Sequence, residues 1–182
     1  MAFSRNIIGS RGNVTASPVT STLTGTTNQG DLILFAVGSS NNPPTTSASD
    51  TAGNTYTLIG TGSLNGNAID VYAAIASSTA SNVAVSGIFS GVVRRFATAI
   101  SYSGGTLDGV SGIQSTSSGP SLSYNLNCSQ SGELCFAAFL RSGGGTTWSG
   151  FGTLAIQAGQ GTELAITDLL SSASGAKRMS EF

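Results

Sequence analysis

The sequence predicts an all-β protein, an antiparallel two-sheet sandwich of jelly-roll-like form with an extended N-terminal arm. Short apolar runs recur between Gly, Ser, Asn and Pro residues, which is the pattern of strands separated by turns. Helix signals are weak, because Ser-rich and β-branched stretches lower helix propensity and no long 3.6-residue period appears. A length of 182 residues fits a single domain of this class.

The first half of the chain contains several predicted strands. Residues 31–37 (DLILFAV) form a continuous apolar run between Gly30 and Gly38, as expected of a strand in a sandwich core. Large and small residues alternate over 92–102, which leaves a face of small residues where another sheet or a subunit could approach. Further strands are predicted at 55–59 and, as partner strands, at 68–76 and 82–89.

The second half continues the same pattern. Residues 121–126 alternate between apolar and polar side chains, which is typical of a half-buried strand, and residues 133–140 (ELCFAAFL) are again continuously apolar. Strands are also predicted at 154–156 and 163–170. We therefore divide the chain into an N-terminal arm (1–20), a β-sandwich domain (21–170) and a C-terminal tail (171–182). Residues 167–182 are the one segment expected to be helical or loose.

The two continuous apolar runs begin alike, with Gly30-Asp31-Leu32 and Gly132-Glu133-Leu134. They lie about a hundred residues apart, which is too far for the period of a solenoid. Two interpretations are open. The runs are equivalent strands of two half-sandwiches, or the motif is a general way of entering a strand from a turn.

The composition argues against catalysis. The chain contains no histidine, only 7 basic and 8 acidic residues, and 25 glycines. A serine triad therefore has no histidine base, and zinc sites lack their commonest nitrogen ligand. We predict no enzymatic activity, no metal and no cofactor, with a glycosidase using two carboxylates as the weakest of the functional hypotheses.

The charge pattern argues against nucleic acids and membranes as partners. The net charge is −1, and the arginines are scattered apart from the pair Arg94-Arg95. Binding to nucleic acid requires clustered basic residues that displace counterions from phosphates. No stretch of the sequence approaches the 18 or more apolar residues of a membrane-spanning segment.

Residues 50–54 (DTAGN) are predicted to form a structural turn. In that turn the Asp50 carboxylate accepts hydrogen bonds from nearby backbone N–H groups, and Gly53 or Asn54 adopts a positive φ. The surrounding sequence supplies too few oxygen ligands for a calcium site. The motif at 150–155 (GFGTLA) matches the dinucleotide-binding glycine pattern, but it does not lie between a strand and a helix.

Cys128 and Cys135 flank a turn-like segment at 129–132. If that segment closes a hairpin, the two cysteines are offset by two positions, and a disulfide would be strained or would need another register. The sequence shows no export signal, so we expect two reduced, buried thiols.

Five residues are candidates for contact with a partner. Trp148 lies in a Gly/Thr-rich loop with Phe151 nearby, where it either covers the core or serves as an exposed contact anchor. Tyr102 is a second aromatic candidate. Arg5 and Arg11 lie on the polar N-terminal arm, which either frays or becomes ordered against a partner subunit.

A set of motifs resembles one recurring module. The motifs are, in order, GDLILFAV, DTAGNTYTLIG, DVYAAIA, ISYSGGTLDG and SGELCFAAF. Together they are similar to a β-sandwich module of bacteriophage virion proteins and large bacterial surface proteins, and their most specific part covers residues 50–57. The resemblance implies the sandwich fold and no shared catalytic residues. Glu133 replaces the second acid of the module, and the C-terminal tail has no counterpart in it.

These observations lead us to expect a structural virion protein, assembled in the host cytoplasm. Its expected role is that of a capsid decoration or cement protein that binds the major capsid protein as a homo-oligomer, a dimer or trimer. Its binding would depend on shape, hydrogen bonds and apolar contacts rather than on salt-sensitive ion pairs. The alternative is a carbohydrate- or receptor-binding module of a phage fibre or bacterial surface protein, with Trp148 and Tyr102 as stacking platforms.

Overall fold

The computed structural model describes residues 4–10, 12–40, 45–64, 66–91, 94–104, 114–116, 123–128, 134–142, 148–149, 154–159, 162–170 and 175–181. Among these residues all regular structure is β-strand, so the predicted all-β class is confirmed. The first half of the chain forms β1 (Ser4–Ile8), β2 (Gly12–Val14), β3 (Val19–Thr27), β4 (Leu32–Ser40), β5 (Thr45–Asp50), β6 (Thr57–Leu64), β7 (Asn67–Ile75), β8 (Ala80–Phe89) and β9 (Arg95–Ser103). The second half forms β10 (Gln114–Thr116), β11 (Ser123–Cys128), β12 (Leu134–Ser142), β13 (Trp148–Ser149), β14 (Leu154–Gly159), β15 (Thr162–Leu170) and β16 (Gly175–Glu181).

The first half forms the predicted antiparallel sandwich of two sheets. The larger sheet has the strand order β1-β9-β4-β7-β6, with β2 also paired to β9, and the smaller sheet has the order β3-β8-β5. Every pairing in these two sheets is antiparallel. Side chains from both sheets meet in one buried cluster, in which Leu23 and Val85 of the smaller sheet accompany Phe35 and Ala97 of the larger one.

The strand order is that of a jelly roll with one strand moved. A jelly roll is a long antiparallel hairpin rolled into two sheets, so early strands pair with late ones. The pairs β1–β9, β3–β8 and β4–β7 follow this rule. The remaining strand, β6, pairs with β7 and thereby joins the larger sheet, which leaves β5 at the edge of the smaller sheet.

The larger sheet is buried on both faces. Its second face, which includes Leu34 and Ile100, packs against Ala138 of β12 and against Leu164 and Ile166 of β15. Successive side chains of a strand point to opposite faces, so a strand covered on both sides must be apolar throughout. This explains the continuous apolar run in β4, where every residue from Leu32 to Ser39 is buried.

The second half repeats the strand order of the first. The order β11-β16-β13 corresponds to β3-β8-β5, and the order β12-β15-β14 corresponds to β4-β7-β6. The two similar apolar runs of the sequence open β4 and β12, which hold the same position in their respective sheets. Of the two interpretations of that similarity, the topology supports equivalent strands of two related units.

The N-terminal arm is extended, and it pairs with a strand of its own chain, β9. Arg5 pairs with Tyr102 and Ile8 with Ile100, so β1 forms one edge of the larger sheet. Gly9 then donates a backbone hydrogen bond to Ala99 at 2.8 Å, and the segment crosses to β3. A side chain at Gly9 would have its Cβ 2.6 Å from Ser21 Oγ, so only glycine fits this crossing without movement.

Several strand predictions require correction. The run at 82–89 is β8, and it pairs with β3 and β5 rather than with β4 and β7. The segment 167–182, expected to be helical or loose, contains the end of β15 and the whole of β16, which pairs with β11 and β13. Cys128 and Cys135 do not belong to one hairpin, because β11 pairs with β16 while β12 pairs with β15.

Candidate contact surface

The solvent-facing side of the smaller sheet consists of uncharged side chains. Along β3 and β8 the buried residues, such as Val19 and Val85, alternate with residues that face away from the core. The residues that face away line up across the three strands in register. We call this surface the outer face, and it consists of Thr20, Thr22, Ser47, Ser49, Thr51, Ala84, Ser86 and Ile88.

The outer face offers hydroxyl groups and one large apolar side chain. Thr20 Oγ1 and Ser86 Oγ share a hydrogen bond of 2.8 Å near its middle. Ile88 lies at one end of the outer face and is 43% exposed, an exposure similar to that of Leu58 and Ile75 on the larger sheet. The surface can therefore bind a partner through hydrogen bonds and apolar contact, without ion pairs.

The Asp50 carboxylate fixes the end of β5, the edge strand of the outer face. Its Oδ1 accepts hydrogen bonds from the backbone N–H groups of Ala52 and Asn54 at 2.9 and 3.0 Å. Its Oδ2 accepts from Asn54 Nδ2 at 2.8 Å and from the Tyr56 hydroxyl at 2.9 Å. Gly53 has a φ of 75°, so the predicted structural turn is confirmed, with Gly53 as its left-handed residue.

Asn54 extends this turn to the neighbouring loop between β7 and β8. It is buried, and its Oδ1 accepts hydrogen bonds from the Ser77 backbone N–H at 2.8 Å and from Ser77 Oγ at 3.0 Å. The turn that follows β5 is thus held against the strand connection that leads into β8. Asp50 and Asn54 therefore fix both the turn after β5 and its contact with the loop before β8.

A second carboxylate, which is buried, fixes the start of β5. Asp70 lies in β7 and is 3% exposed, and its Oδ2 accepts the backbone N–H of Thr45 at 2.8 Å. Its Oδ1 accepts from Thr61 Oγ1 at 2.7 Å, while the Tyr72 hydroxyl donates to the Thr45 carbonyl at 3.2 Å. The strand β5 is therefore bound to the larger sheet at its first residue and to its own turn at its last.

Both phenols in these networks have raised pKa values. Burial, the Asp50 charge and the hydrogen bond to Asp50 raise the pKa of Tyr56 far above its ordinary value of 10.0. Burial and the Asp70 charge raise the pKa of Tyr72 to about 12. In each case the apolar surroundings and the nearby carboxylate disfavour the negatively charged phenolate.

We expect these phenols to make the fold sensitive to alkaline pH. A folded-state pKa above the unfolded value gives stability that is complete below pH 10 and is lost as the pH rises further. Each tyrosine should lower the free energy of unfolding by about 1.4 kcal/mol per pH unit in that range. Urea unfolding at pH 9, 10 and 11 checks this, and Tyr56→Phe should make the decline shallower. Equal slopes for the variant and the wild type would contradict the assignment.

The structure separates the five candidate contact residues of the sequence analysis. Arg5 lies on the edge strand β1 with an exposed side chain. Tyr102 is 1% exposed and packs among core residues, so it has no surface to offer and is removed as a contact residue or stacking platform. Its position on the strand that lies between two apolar layers is the reason for its burial. Arg11 and Phe151 lie outside the described residues.

Trp148 is described only by its backbone, which opens β13 and pairs with Glu181. The position of its ring is outside the described part of the structure, so both of its possible roles stay predictions. The outer face carries no aromatic or charged residue, so it was not predicted from the sequence. The alternation of Val19, Ser21 and Leu23 with threonines was the signal that could have revealed it.

The described residues contain no group of three or more acidic, cysteine or histidine side chains placed to hold a metal ion. A search of the same part of the chain for a helix long and apolar enough to cross a membrane found none. No family model, curated protein or solved structure matches this chain.

Proposed function

We propose that this protein is a structural virion component, a decoration or cement protein that binds the assembled capsid shell through its outer face. The observation that carries the proposal is the uncharged, hydroxyl-rich outer face on a jelly-roll sandwich. A hydrogen-bonding surface with an exposed isoleucine suits a stationary contact with another protein better than it suits turnover.

Three further points support this role. Jelly rolls recur in viral capsid proteins, although that argument is one of analogy because a fold hosts many functions. The motifs of the first half also resemble the sandwich module of bacteriophage virion proteins. The carboxylates Asp50 and Asp70 hold β5 in place through hydrogen bonds, which assigns them a structural task.

The salt dependence of binding tests the proposal. We expect the protein to sediment together with capsids of the virus that encodes it, and to stay bound between 50 mM and 500 mM NaCl. Contacts without ion pairs are insensitive to screening, which at about 1 M salt reduces the Debye length to about 3 Å. Absence of the protein from purified virions, or its release over this salt range, would contradict the proposal.

A charge placed in the outer face should abolish this binding. Ser86→Lys introduces an ammonium group at the centre of the outer face, where a bound shell protein would leave it buried without a partner. We expect the affinity for capsids to fall at least about tenfold, or about 1.4 kcal/mol. The matched control is Ser78→Lys, an exposed serine on the loop between β7 and β8. Equal affinity of the two variants would argue against the outer face as the contact.

A further inference from the structure

The two related units of the chain pack against each other through equivalent faces. Leu32, Leu34 and Ala36 of β4 belong to the same cluster as Ala138 of β12, against which Leu134 and Phe136 also pack. Because β4 and β12 open with the same motif and hold the same place in their sheets, the equivalents of Leu32, Leu34 and Ala36 are Leu134, Phe136 and Ala138. The arrangement resembles an isologous interface, in which the same surface patch is used on both sides.

One strand of the first unit has no counterpart among the described residues of the second. In the larger sheet β4 lies between β7 and β9, with Leu32 opposite Tyr102 and Leu34 opposite Ile100. In the second unit β12 has β15 on one side, as expected from β7. On its other side the described residues include only the short parallel strand β10, which covers Phe139, Leu140 and Arg141.

The position beside 134–138 is therefore open in the described part of the chain. We call it the β12 slot. The first unit shows what fills the equivalent position, an antiparallel strand with Phe96, Ile100 and Tyr102 on the shared apolar face. Its other face carries Ala97 and Ala99, which are small and fully buried.

We propose that the β12 slot accepts an extended segment donated by another polypeptide, which pairs antiparallel to β12. The donated segment has the pattern of β9, with large apolar residues facing the shared core and small residues on the opposite face. Strand addition of this kind obtains affinity from backbone hydrogen bonds and specificity from the pockets for alternate side chains. This inference does not rest on the proposed virion role.

The slot has a second property that favours strand addition. Leu134 and Phe136 are only partly buried, although they pack against the cluster whose equivalent members in β4 are 2% exposed. An incoming strand would cover these two side chains, as β9 covers Leu32 and Leu34 in the first unit. β10 pairs only with residues 139–141 of β12. An incoming strand would therefore pair with the residues before 139, and a longer one would displace β10.

A synthetic peptide with the sequence of residues 94–104 (RRFATAISYSG), carrying a fluorescent label, is the probe for the slot. We expect saturable binding to the full chain with one peptide per molecule, measured by fluorescence anisotropy. A control peptide with Thr98→Pro should bind at least about tenfold more weakly, because the N–H of this residue faces the β4 side, whereas that of Ala99 donates to Ser21 on the other side, and proline cannot donate to the ladder. Absence of binding, or equal binding of both peptides, would overturn the proposal, including the case in which other residues of the chain already fill the slot.

Hydrogen exchange locates the bound peptide. We expect slower amide exchange in 134–138 and unchanged exchange in β5, which is also an edge strand and serves as the internal control. Protection of β5 would indicate unspecific pairing to sheet edges and would contradict the proposal. A change in amide exchange confined to β4 would show that the peptide replaces β9 in the first unit. This result would also overturn the proposal. No capsid is present in these measurements, so a negative result has no bearing on the proposed capsid contact of the outer face.

Discussion

Replacing Asp50 with alanine is expected to lower the free energy of unfolding by about 3 kcal/mol, because hydrogen bonds to a charged acceptor contribute more than neutral ones. The substitution leaves the backbone N–H groups of Ala52 and Asn54, the Asn54 amide and the Tyr56 hydroxyl without their acceptor. Water can reach only part of this network, since Asn54 is 8% exposed. Urea unfolding followed by intrinsic fluorescence measures the loss.

Two variants show whether the loss comes from the carboxylate network. Asp50→Asn keeps an acceptor oxygen for the two backbone groups but presents an NH₂ group to donors, so its loss should be intermediate. Ser49→Ala removes an exposed hydroxyl from the adjacent position of β5 and should change stability by less than about 0.5 kcal/mol. A loss for Asp50→Ala as small as that of the serine variant would show that the network contributes little.

The same substitution should loosen the outer face without unfolding the chain. Asp50 holds the turn after β5, while Asp70 continues to hold Thr45 at the start of that strand. We therefore expect faster amide exchange over the last residues of β5 through local opening, whereas exchange in the central strand β4 should rise only by the amount that the loss of global stability accounts for. The outer face is then weakened at the edge where β5 lies, which links the stability of one turn to the proposed contact.

The Asp50 turn was predictable because its physics is local. A carboxylate, a glycine and an asparagine within five residues contain most of the groups that satisfy each other, so sequence spacing alone determines the arrangement. The link from Asn54 to Ser77 was not predictable in this way. It depends on the return of the chain at the start of β8, a distant feature that follows from the sheet topology.

Strands with few large apolar residues escaped the sequence analysis. Neither Val19–Thr27 nor Thr45–Asp50 was assigned as a strand, because threonine and serine dominate both. In β3 only alternate residues such as Val19 and Leu23 face the core, and the residues between them face solvent. Continuous apolar runs identify strands that are covered on two faces. The central strands of the larger sheet were therefore predicted, and the Ser/Thr-rich strands β3 and β5 of the smaller sheet were not.

The placement of β8 shows a second limit of sequence reasoning. Its apolar run correctly predicted a strand, which the sequence analysis placed beside 68–76 as a partner strand. In a jelly roll consecutive strands often lie in different sheets, so proximity along the chain predicts pairing poorly. Only the register of Val83 and Val85 against β3 reveals the correct sheet.

Arg95 is expected to be among the most sensitive positions of the protein. Its side chain is fully buried, and its guanidinium lies 4.5 Å from the centre of the Phe89 ring. It donates hydrogen bonds to the carbonyl oxygens of Thr15 at 3.2 Å, Ser90 at 3.4 Å and Gly91. Among the described residues no acidic side chain pairs with it, and its Nε has no acceptor.

These contacts make Arg95 a bridge between three segments of the chain. Thr15 precedes β3, Ser90 and Gly91 follow β8, and Arg95 itself opens β9. Burial of its side chain lowers the pKa of Arg95. The carbonyl oxygens and the negative face of the Phe89 ring compensate the charge in place of a carboxylate.

Replacing Arg95 with alanine should therefore lower the free energy of unfolding by about 4 kcal/mol, through the cavity left by a large buried side chain and the loss of its hydrogen bonds. Arg95→Met keeps most of the volume but none of the donors, so we expect it to lose about half as much. Arg94→Ala removes the same charge from a partly exposed neighbour and should cost less than about 1 kcal/mol. Wild-type stability of Arg95→Ala would contradict the bridging role. If the methionine variant instead matched wild type, the volume of the side chain rather than its hydrogen bonds would account for the stabilisation.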